Sequence, residues 1–330
     1  MVNKQYHYFK IRVDCKTYNQ ASYIMDTMNG FCMQETNFPF ICVIIDDAST
    51  DGEPVVIRNY LCEHFELNEG DTFLRIEETD DYVLTMTRHK TNRNCYFAVF
   101  FLKYNHYSIK KSKQLYIDEW KNTKYVALCE GDDYWTSPIK LQKQVDFLDT
   151  HSEYSLTSHR YSVLNQELNI FEDIVSQTNF KNKDGVVFDN SSIDWLAKTL
   201  TLVYRNNKLD DYWNYPGIKW DVILVYFLLK HGKGFCFSDN MGTYRLNSSS
   251  TYGEKSKMER KEFVFLQYNE LYGFEKNSVT RHRYYSTLIQ YIFFTHGQAF
   301  KKVKLSLKDF FFIPLYIIED LWLRLYDKFR

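Results

Sequence analysis

The residues best suited to chemistry form a short acidic run, Glu130 to Trp135. It follows the β-prone apolar run Lys124 to Cys129, so adjacent carboxylates are expected at the end of a strand. In α/β proteins, ligands bind outside the carboxyl ends of the strands. Carboxylate oxygens suit Mg²⁺ or Mn²⁺, and such an ion usually keeps its remaining positions for water and substrate phosphates. The run predicts a metal site for a nucleoside diphosphate; a capping turn before the helix start Ser137-Pro138 is the alternative.

A second carboxylate cluster, Asp46-Asp47 with Ser49 and Asp51, follows another predicted strand, Phe40 to Ile45. Two clusters at strand ends of one parallel sheet face the same crevice. An Asp there can accept hydrogen bonds from a base N–H, while Tyr18, after the first strand, can stack on the base. Taken alone, each of these features is also ordinary turn chemistry.

Strands and helices in alternation must position these side chains. Residues 8–18 alternate between apolar and charged side chains, which is the period of a strand. The next apolar residues are spaced as on one face of a helix, which is expected to end before Asn37-Phe38-Pro39. The strand Phe40 to Ile45 and a second helix follow. This order predicts an α/β protein with a parallel sheet, while the topology of residues 66–115 stays open.

Taken together, these segments resemble the ordered motifs of family 2 glycosyltransferases. The residues that carry the likeness are Thr17-Tyr18-Asn19-Gln20, Asp46 to Gly52, Tyr125 to Trp135, and Leu141-Gln142-Lys143-Gln144. The likeness covers residues 8–160 well and residues 210–253 more weakly, through Trp220-Asp221 and Tyr244-Arg245. It implies a GT-A fold, which is a Rossmann-like, mostly parallel sheet flanked by helices. Beyond about residue 254 the likeness ends, and the sequence pattern itself predicts a helical C-terminal extension.

The resemblance also implies roles for particular residues. Tyr18 and Asp47 would hold the nucleoside, Asp132 would lie near the ribose or sugar, Asp133 would ligate Mn²⁺ or Mg²⁺, and Asp221 would be the catalytic base. The full set implied to bind the nucleotide-sugar donor is Thr17, Tyr18, Asn19, Asp46, Asp47 and Asp132. Transfer in this family inverts the anomeric centre, because a carboxylate takes the acceptor hydroxyl's proton while that oxygen displaces the nucleoside diphosphate.

We therefore expect sugar transfer from a nucleotide-diphospho-sugar, by preference a UDP-sugar, to a hydroxyl of a glycan or lipid-linked glycan, as in cell-surface polysaccharide synthesis. Two other functions stay open. A sugar-phosphate nucleotidylyltransferase also binds nucleotides on an α/β sheet, but Thr17-Tyr18-Asn19-Gln20 does not offer its Gly-rich basic loop. A catalytically degenerate relative would bind the nucleotide sugar, or a partner, without turnover.

The chain departs from the family pattern in three places. The charged residues Arg12, Asp14 and Lys16 lie in the first strand, which predicts that this strand is partly exposed. Residues 84–105 lack a clear glycine signature in the segment that faces the diphosphate in the family. Asn247 stands where many relatives carry His. In addition, Asp221 directly precedes an apolar helical run, as a helix N-cap does, so its role as base has a structural alternative.

Composition limits the partners. A formal charge of -1 gives no basic field to gather nucleic acid.

The 7 cysteines are odd in number and form no C-x-x-C pair, which predicts buried thiols in a reducing cytosol. Met1 to Lys10 lacks the apolar core of a signal peptide. The apolar run Phe310 to Ile318 is well short of the roughly 20 residues of a membrane span. These observations predict a cytoplasmic location.

We expect a catalytic domain over residues 1–253, with a nucleotide-sugar-binding half (1–135) and an acceptor-binding half (136–253), followed by a helical extension over 254–330. The segment 301–330 mixes basic and aromatic residues, which suits a helix lying on an anionic membrane surface. That interpretation would place the protein at the inner face of the cell membrane. A packed helix with a solvated basic face is the alternative.

Overall fold

The computed structural model describes residues 9–68, 70–173, 184–192, 195–207, 209–247, 255–295, 303 and 307–328, with side chains for all of these except 172–173, 257 and 319–328. The chain divides into two compact units. The first comprises Met1–Trp213 and Val225–Leu246, and the second comprises Asn214–Leu224 and Asn247–Arg330. The functional division at residue 253 stays a prediction.

Helices and strands alternate through the first part of the chain, and helices alone follow Leu246 in the described residues. The strands are β1 (Ile11–Thr17), β2 (Phe40–Asp46), β3 (Arg75–Glu78), β4 (Tyr82–Arg88), β5 (Cys95–Leu102), β6 (Tyr125–Leu128), β7 (Tyr134–Trp135), β8 (Tyr154–Asn165), β9 (Ile170–Asp173), β10 (Gly185–Phe188), β11 (Val203–Arg205) and β12 (Lys233–Leu246). The α-helices are α1 (Ile24–Cys32), α2 (Glu53–His64), α3 (Lys140–Thr150), α4 (Asp210–Trp213), α5 (Asp221–Lys230), α6 (Lys257–Phe274), α7 (Ser278–Phe294) and α8 (Leu307–Lys328).

One mixed sheet organises the first unit, with strand order β10-β12-β8-β11-β6-β1-β2-β5-β4-β3. The inner strands β6, β1, β2 and β5 are mutually parallel, while β4 and β3 on one side and β11 on the other are antiparallel to their neighbours. Parallel strands joined by helices carry their carboxyl ends to one edge. The predicted α/β class is confirmed, and the loops after β1, β2 and β6 begin at the same edge.

Strand β2 shows how the sequence builds the two faces of this sheet. All 7 of its residues are buried. Phe40, Cys42 and Ile44 belong to the core cluster that includes α1 and α2, whereas Ile41 and Val43 belong to the cluster on the opposite face. A strand that packs against both layers reads as a continuous apolar run, as is typical of parallel sheets.

Strand β1 is more central than its charges suggested. It lies between β2 and β6, and Arg12 is only 2% exposed. The Arg12 guanidinium binds the carboxylate of Asp14 at 2.5 Å and donates to the Trp120 carbonyl oxygen at 2.9 Å. The expectation of a partly exposed first strand is borne out at Lys16, which is exposed, but not at Arg12. Residues two apart share one face of a strand, so Arg12 and Asp14 can neutralise each other inside the sheet.

The segment that the sequence left open, residues 66–115, contains three of the strands. Strand β5 extends the parallel sheet beside β2, and β4 and β3 then continue it as antiparallel strands. Aromatic rings from this region pack on the sheet face opposite α1, where Phe100 contacts Tyr116 with ring centres 5.1 Å apart. This region therefore completes the second apolar layer of the first unit.

The prediction of buried cysteine thiols is wrong at Cys62 and holds only in part at Cys32, which is partly buried. All 7 cysteines are free, and most are buried, but Cys62 is exposed. Helix α2 turns Ile57, Tyr60 and Leu61 toward the core, and Cys62 falls on the outward side.

The second unit contains helices α6, α7 and α8. Ser256 and Glu259 form a reciprocal capping box at the start of α6, and Asn277 with Thr280 does the same for α7. Phe265 of α6 and Tyr285, Leu288 and Tyr291 of α7 form a buried cluster, against which Phe312, Ile313 and Tyr316 of α8 pack. Among the described residues, none of the helices is both long and apolar enough to cross a bilayer.

Candidate functional site

Three loops converge at the carboxyl edge of the inner sheet. Thr17 at the end of β1 pairs with Asp46 at the end of β2, and Asp14 pairs with Leu128 at the end of β6. The Asp47 backbone N–H donates to the Thr17 carbonyl oxygen at 3.0 Å, and that of Gly131 donates to the Lys16 carbonyl oxygen at 3.1 Å. The structure thus brings together the segments after β1, β2 and β6 that the sequence singled out.

A buried carboxylate, Glu53, joins the loop after β1 (the first loop) to the loop after β2 (the second loop). It lies at the start of α2 and accepts hydrogen bonds from the Thr17 hydroxyl, from the Gln20 backbone N–H at 2.8 Å and from the Ser49 hydroxyl at 2.9 Å. Burial raises the pKa of Glu53, and these hydrogen bonds act against that shift. Thr17, implied to contact the donor, directs its hydroxyl to Glu53, and its contact with the donor stays a prediction. Sequence reasoning missed Glu53, although an acidic residue after Asp51-Gly52 is a helix-start signal.

Asn19 and Tyr18 have different parts in the first loop. Asn19 adopts the left-handed backbone conformation at φ 55°. Its backbone N–H donates to the Ser49 hydroxyl at 2.9 Å, and its side-chain oxygen accepts from the Thr50 N–H at 2.8 Å. The Asn19 side chain therefore holds the second loop. Tyr18 is 46% exposed at the same edge, so its side chain is accessible to a planar ligand.

Asp47 is buried and already has several donors. Its carboxylate accepts the backbone N–H groups of His106 at 2.7 Å and Tyr107 at 3.1 Å, and it forms an ion pair with Lys113 at 2.6 Å. Burial lowers the pKa of Lys113, and the pair with Asp47 opposes that shift. Asp46 is also buried and accepts the Ser49 N–H at 3.2 Å. Two carboxylate oxygens offer about four acceptor positions, so Asp47 keeps capacity for a base N–H.

The acidic loop after β6 holds a deeply buried carboxylate. Asp133 is 1% exposed, and its Oδ1 accepts the backbone N–H of Arg245 at 2.8 Å. Burial, together with the negative charge of Asp132 and of Glu130, raises the pKa of Asp133 well above its usual range. A divalent cation would relieve this accumulation of negative charge, since hard oxygen ligands are those that Mg²⁺ and Mn²⁺ prefer.

The oxygen ligands of the acidic loop fit a metal ion for which the protein supplies only some of the coordination positions. Among the residues that the structure describes, no group of three or more His, Cys, Asp or Glu side chains is arranged to bind a metal. An ion held by one or two carboxylates, with water and substrate phosphates completing its coordination, needs no such group. Asp133, with Asp132 next to it, could supply these one or two carboxylate ligands.

Gly131 is required where the acidic loop crosses the first loop. A Cβ at this position would lie 2.2 Å from the Thr17 hydroxyl oxygen and 2.5 Å from the Gln20 side-chain oxygen. On its other side, the Thr27 hydroxyl lies 2.9 Å from the Gly131 carbonyl oxygen and 2.7 Å from that of Asp133. The glycine therefore allows the backbone of the acidic loop to pass close to Thr17 and Gln20.

Arg245 of β12 ties the acidic loop to the far half of the sheet. Besides its backbone bond to Asp133, its guanidinium donates to the Asp132 carbonyl oxygen at 2.8 Å and binds Asp26 of α1 at 2.6 Å. The same group lies 4.8 Å from the ring centres of Tyr23 and Tyr134. The Tyr244-Arg245 segment, which matched the family pattern only weakly, thus contacts the strongest motif of the chain.

Lys198 is a further cation of this region that sequence reasoning missed. Its ammonium group lies 4.1 Å from the centre of the Tyr244 ring. Its positive charge acts against the raised pKa of Asp133, so it lies within electrostatic range of the acidic loop. Lys198 belongs to an irregular segment before a short 3₁₀ turn, Thr199–Thr201, and no periodicity marks it in the sequence.

Asp221 belongs to the second unit, where it is the first residue of α5. Its side chain is exposed and accepts the backbone N–H of Val222 at 2.9 Å. This local bond is one that a helix-terminal Asp makes, and it leaves acceptor capacity for a proton. The assignment of Asp221 as the base stays a prediction.

Comparisons with known proteins agree with this architecture. No protein-family model matches the chain. An uncharacterized protein of Mycobacterium bovis is 32% identical over 154 residues, which are 46% of this chain and 35% of that protein. The chain thus spans about a third of the length of that protein. The "Putative teichuronic acid biosynthesis glycosyltransferase TuaG" of Bacillus subtilis is 22% identical over 267 residues, 79% of this chain and 89% of that protein.

Solved glycosyltransferases share the fold. S. aureus TarS residues 1-349, in complex with UDP-GlcNAc, align with a TM-score of 0.53 at 17% identity, covering 91% of this chain and 77% of that one. The mannosyltransferase PcManGT from Pyrobaculum calidifontis, in complex with GDP-Man and Mn²⁺, aligns with a TM-score of 0.54 at 12% identity, covering 94% and 80%. The predicted GT-A type of fold, with a helical C-terminal region, is confirmed.

Proposed function

We propose that this chain is an inverting glycosyltransferase of the family 2 kind, which transfers a sugar from a nucleotide-diphospho-sugar, by preference UDP-linked, to a hydroxyl of a glycan or lipid-linked glycan. The observation that supports it most is the convergence of three loops at one sheet edge, where the buried carboxylate of Asp133 and the exposed ring of Tyr18 lie. Glycosyltransferases of the same fold bind UDP-GlcNAc and GDP-Man with Mn²⁺.

In this proposal the first and second loops hold the nucleoside. Tyr18 stacks on the base, and the acceptor positions left on Asp47 bind a base N–H. The Lys113 ammonium and two backbone N–H groups fix the Asp47 carboxylate in place. Asp46 and Asn19 contribute by shaping the two loops. Asp132 lies toward the ribose or sugar.

The acidic loop binds the diphosphate end of the donor. Asp133, with Asp132, would hold the divalent ion, which when bound neutralises the charge that develops on the leaving diphosphate. Lys198 lies within electrostatic range of this loop and would add a second positive charge against the phosphate oxygens. The Arg245 backbone N–H orients the Asp133 carboxylate.

The transfer step needs a base on the acceptor side. Asp221 takes the proton of the acceptor hydroxyl as that oxygen forms a bond to the anomeric carbon. The bond between this carbon and the diphosphate oxygen breaks, and its electron pair leaves with the nucleoside diphosphate. Attack from the opposite face inverts the anomeric centre, and the base contributes a factor of about 10²–10⁴ in rate.

A thermal-shift panel of UDP-, GDP-, CMP- and dTDP-sugars, with Mn²⁺ and with EDTA, tests the proposal, because a ligand that binds only the native state raises the apparent stability. We expect one nucleotide class to stabilise the protein, more strongly with Mn²⁺. Calorimetry with that nucleotide then compares the wild type with Asp133→Ala, which should lose the metal-dependent part of the affinity. Asp239→Ala, which removes a surface carboxylate paired with Lys143, is the matched control and should keep it.

Product formation from the selected sugar completes the test. A wild type that binds no nucleotide sugar would contradict the proposed site. Metal-dependent binding without transfer to any acceptor would favour the catalytically degenerate relative. An Asp133→Ala variant with unchanged metal dependence would remove the acidic loop from the metal site.

A further inference from the structure

Helix α8 presents a wide apolar face to solvent. Its inner side chains, Phe312, Ile313 and Tyr316, pack on the aromatic cluster of the second unit. At 100° per residue, the exposed large apolar positions between 307 and 318 cover an arc of about 160°. The large apolar side chains exposed on this arc are Leu307, Phe310, Phe311, Leu315, Ile317 and Ile318. We name these six residues the α8 face.

The α8 face carries no carboxylate. Asp309 is the one acidic residue between 307 and 318, and it is 8% exposed. Its Oδ1 accepts the Tyr285 hydroxyl at 2.7 Å, so it points to the inner side of the helix. Lys308, in contrast, is exposed at the border of the α8 face. Between 307 and 318 the one carboxylate therefore lies on the inner side, and the exposed surface is apolar with Lys308 at its border. Glu319, Asp320 and Asp327 belong to the part of α8 whose side chains lie outside the described residues.

The segment of the chain that precedes and enters α8 is rich in basic residues. Residues 276–308 contain 7 Lys and Arg residues and no Asp or Glu. Among them, the Arg281 guanidinium lies 5.7 Å from the centre of the Phe312 ring, which places one of these charges beside α8. Lys301, Lys302 and Lys304, which the sequence assigned to the same basic segment, lie outside the described residues.

We propose that the α8 face docks on an anionic lipid surface. An apolar arc with a basic margin suits a helix that lies in the interface plane, with its side chains among the acyl chains and its cations among anionic headgroups. A second copy of the chain would cover the apolar arc as well. It would, however, bring two acid-free basic segments together, and like charges repel. The charge of this segment therefore selects lipid as the occupant.

Co-sedimentation of the full chain with vesicles tests this proposal without any donor or turnover, so its outcome is separate from that of the transferase proposal. The vesicles are phosphatidylcholine alone, or equal parts of phosphatidylcholine and phosphatidylglycerol, at low and raised salt. The wild type should bind the anionic vesicles, release at raised salt and bind neutral ones at least about tenfold more weakly. Phe311→Glu with Ile318→Glu should lower binding to anionic vesicles by about tenfold or more.

Val55→Glu with Ile76→Glu is the matched control, since both side chains are exposed, lie in the first unit and change the charge equally. This control should bind as the wild type does. Four outcomes would overturn the proposal. They are a wild type that fails to sediment at low salt, equal binding to neutral and anionic vesicles, unchanged binding by the α8 variant, and a wild-type dimer without vesicles that the α8 variant dissociates.

Discussion

Lys140 is buried, and no carboxylate among the described residues pairs with it, so replacing it should stabilise the protein. This first residue of α3 is fully buried, and its Nζ has no hydrogen-bond partner in the described part of the chain. The ammonium group lies 4.0 Å from the centre of the Trp135 ring. Burial lowers the pKa of Lys140 from 10.5 to about 7. We predict that Lys140→Met, which keeps most of the side-chain volume, raises the free energy of unfolding at pH 7.

The magnitude follows from the shift and from the aromatic contact. A fall from 10.5 to about 7 corresponds to about 5 kcal/mol of cost for the charged amine, at 1.36 kcal/mol per unit. Attraction of the ammonium to the Trp135 ring offsets about 2 kcal/mol of this. The net gain on removing the amine is then about 3 kcal/mol at pH 7.

The sign of the pH dependence follows from proton binding. Between about pH 7 and 10.5, Lys140 carries its proton more often in the unfolded chain than in the folded chain. The free energy of unfolding of the wild type therefore rises with pH in this range. The gain from Lys140→Met should therefore shrink to about 1 kcal/mol at pH 10. Burial and the nearby Lys140 charge lower the pKa of His159 well below its usual range, so this histidine stays neutral throughout.

Urea denaturation followed by tryptophan fluorescence, at pH 7 and at pH 10, measures both effects. Lys143→Met is the matched control on the same helix, since Lys143 pairs with Asp239 at the surface and should change stability by no more than about 1 kcal/mol. A Lys140→Met variant that is less stable than the wild type, or equally stabilised at both pH values, would refute this reasoning.

Three further predictions concern the candidate site. Asp221→Asn should leave folding and donor affinity nearly unchanged, because Asn caps a helix about as well as Asp. It should lower the rate of product formation by about 10²–10⁴, because Asn cannot take the proton of the acceptor hydroxyl. Retained turnover would move the base elsewhere. Tyr18→Ala should weaken nucleotide binding by roughly 1–3 kcal/mol in calorimetry, the range for loss of a base–aromatic stack, and an unchanged affinity in a folded variant would remove Tyr18 from the site. Gly131→Ala should lower both stability, by about 1–3 kcal/mol, and donor affinity, because its Cβ would overlap Thr17. In Gly273→Ala the new Cβ meets no atom within 4 Å, so this variant should not be destabilised; equal behaviour of the two alanine variants would contradict the packing argument.

The convergence of the three loops was predictable, because it depends on local pattern and on one rule of sheet topology. Each loop follows an apolar run, and the carboxyl ends of parallel strands meet at one edge. The contacts of individual side chains were not predictable in the same way. Thr17 and Asn19 have the polarity of ligand-binding residues, yet their side chains hold Glu53 and Thr50.

Other features depend on pairs of residues that no periodicity connects. Arg12 and Asp14 suggested an exposed strand, because hydrophobic patterning counts each charge but not their mutual neutralisation. Lys198 approaches Tyr244 through an irregular segment, so its place beside the acidic loop could be known only from the folded chain. Arg245 reaches Asp26 across 219 positions of sequence, a contact that single-sequence patterning does not encode.

The hydrogen bonds that join the loops after β1 and β2 have a consequence for how a ligand is received. Glu53 and Asn19 bind both loops to each other through the chain's own hydrogen bonds, and Asn19 and Ala48 hold left-handed backbone conformations in that arrangement. The entropy of ordering these loops is thus lost during folding rather than on association. A nucleotide should therefore meet a preorganised surface at this edge, and its binding there should proceed with small backbone displacement.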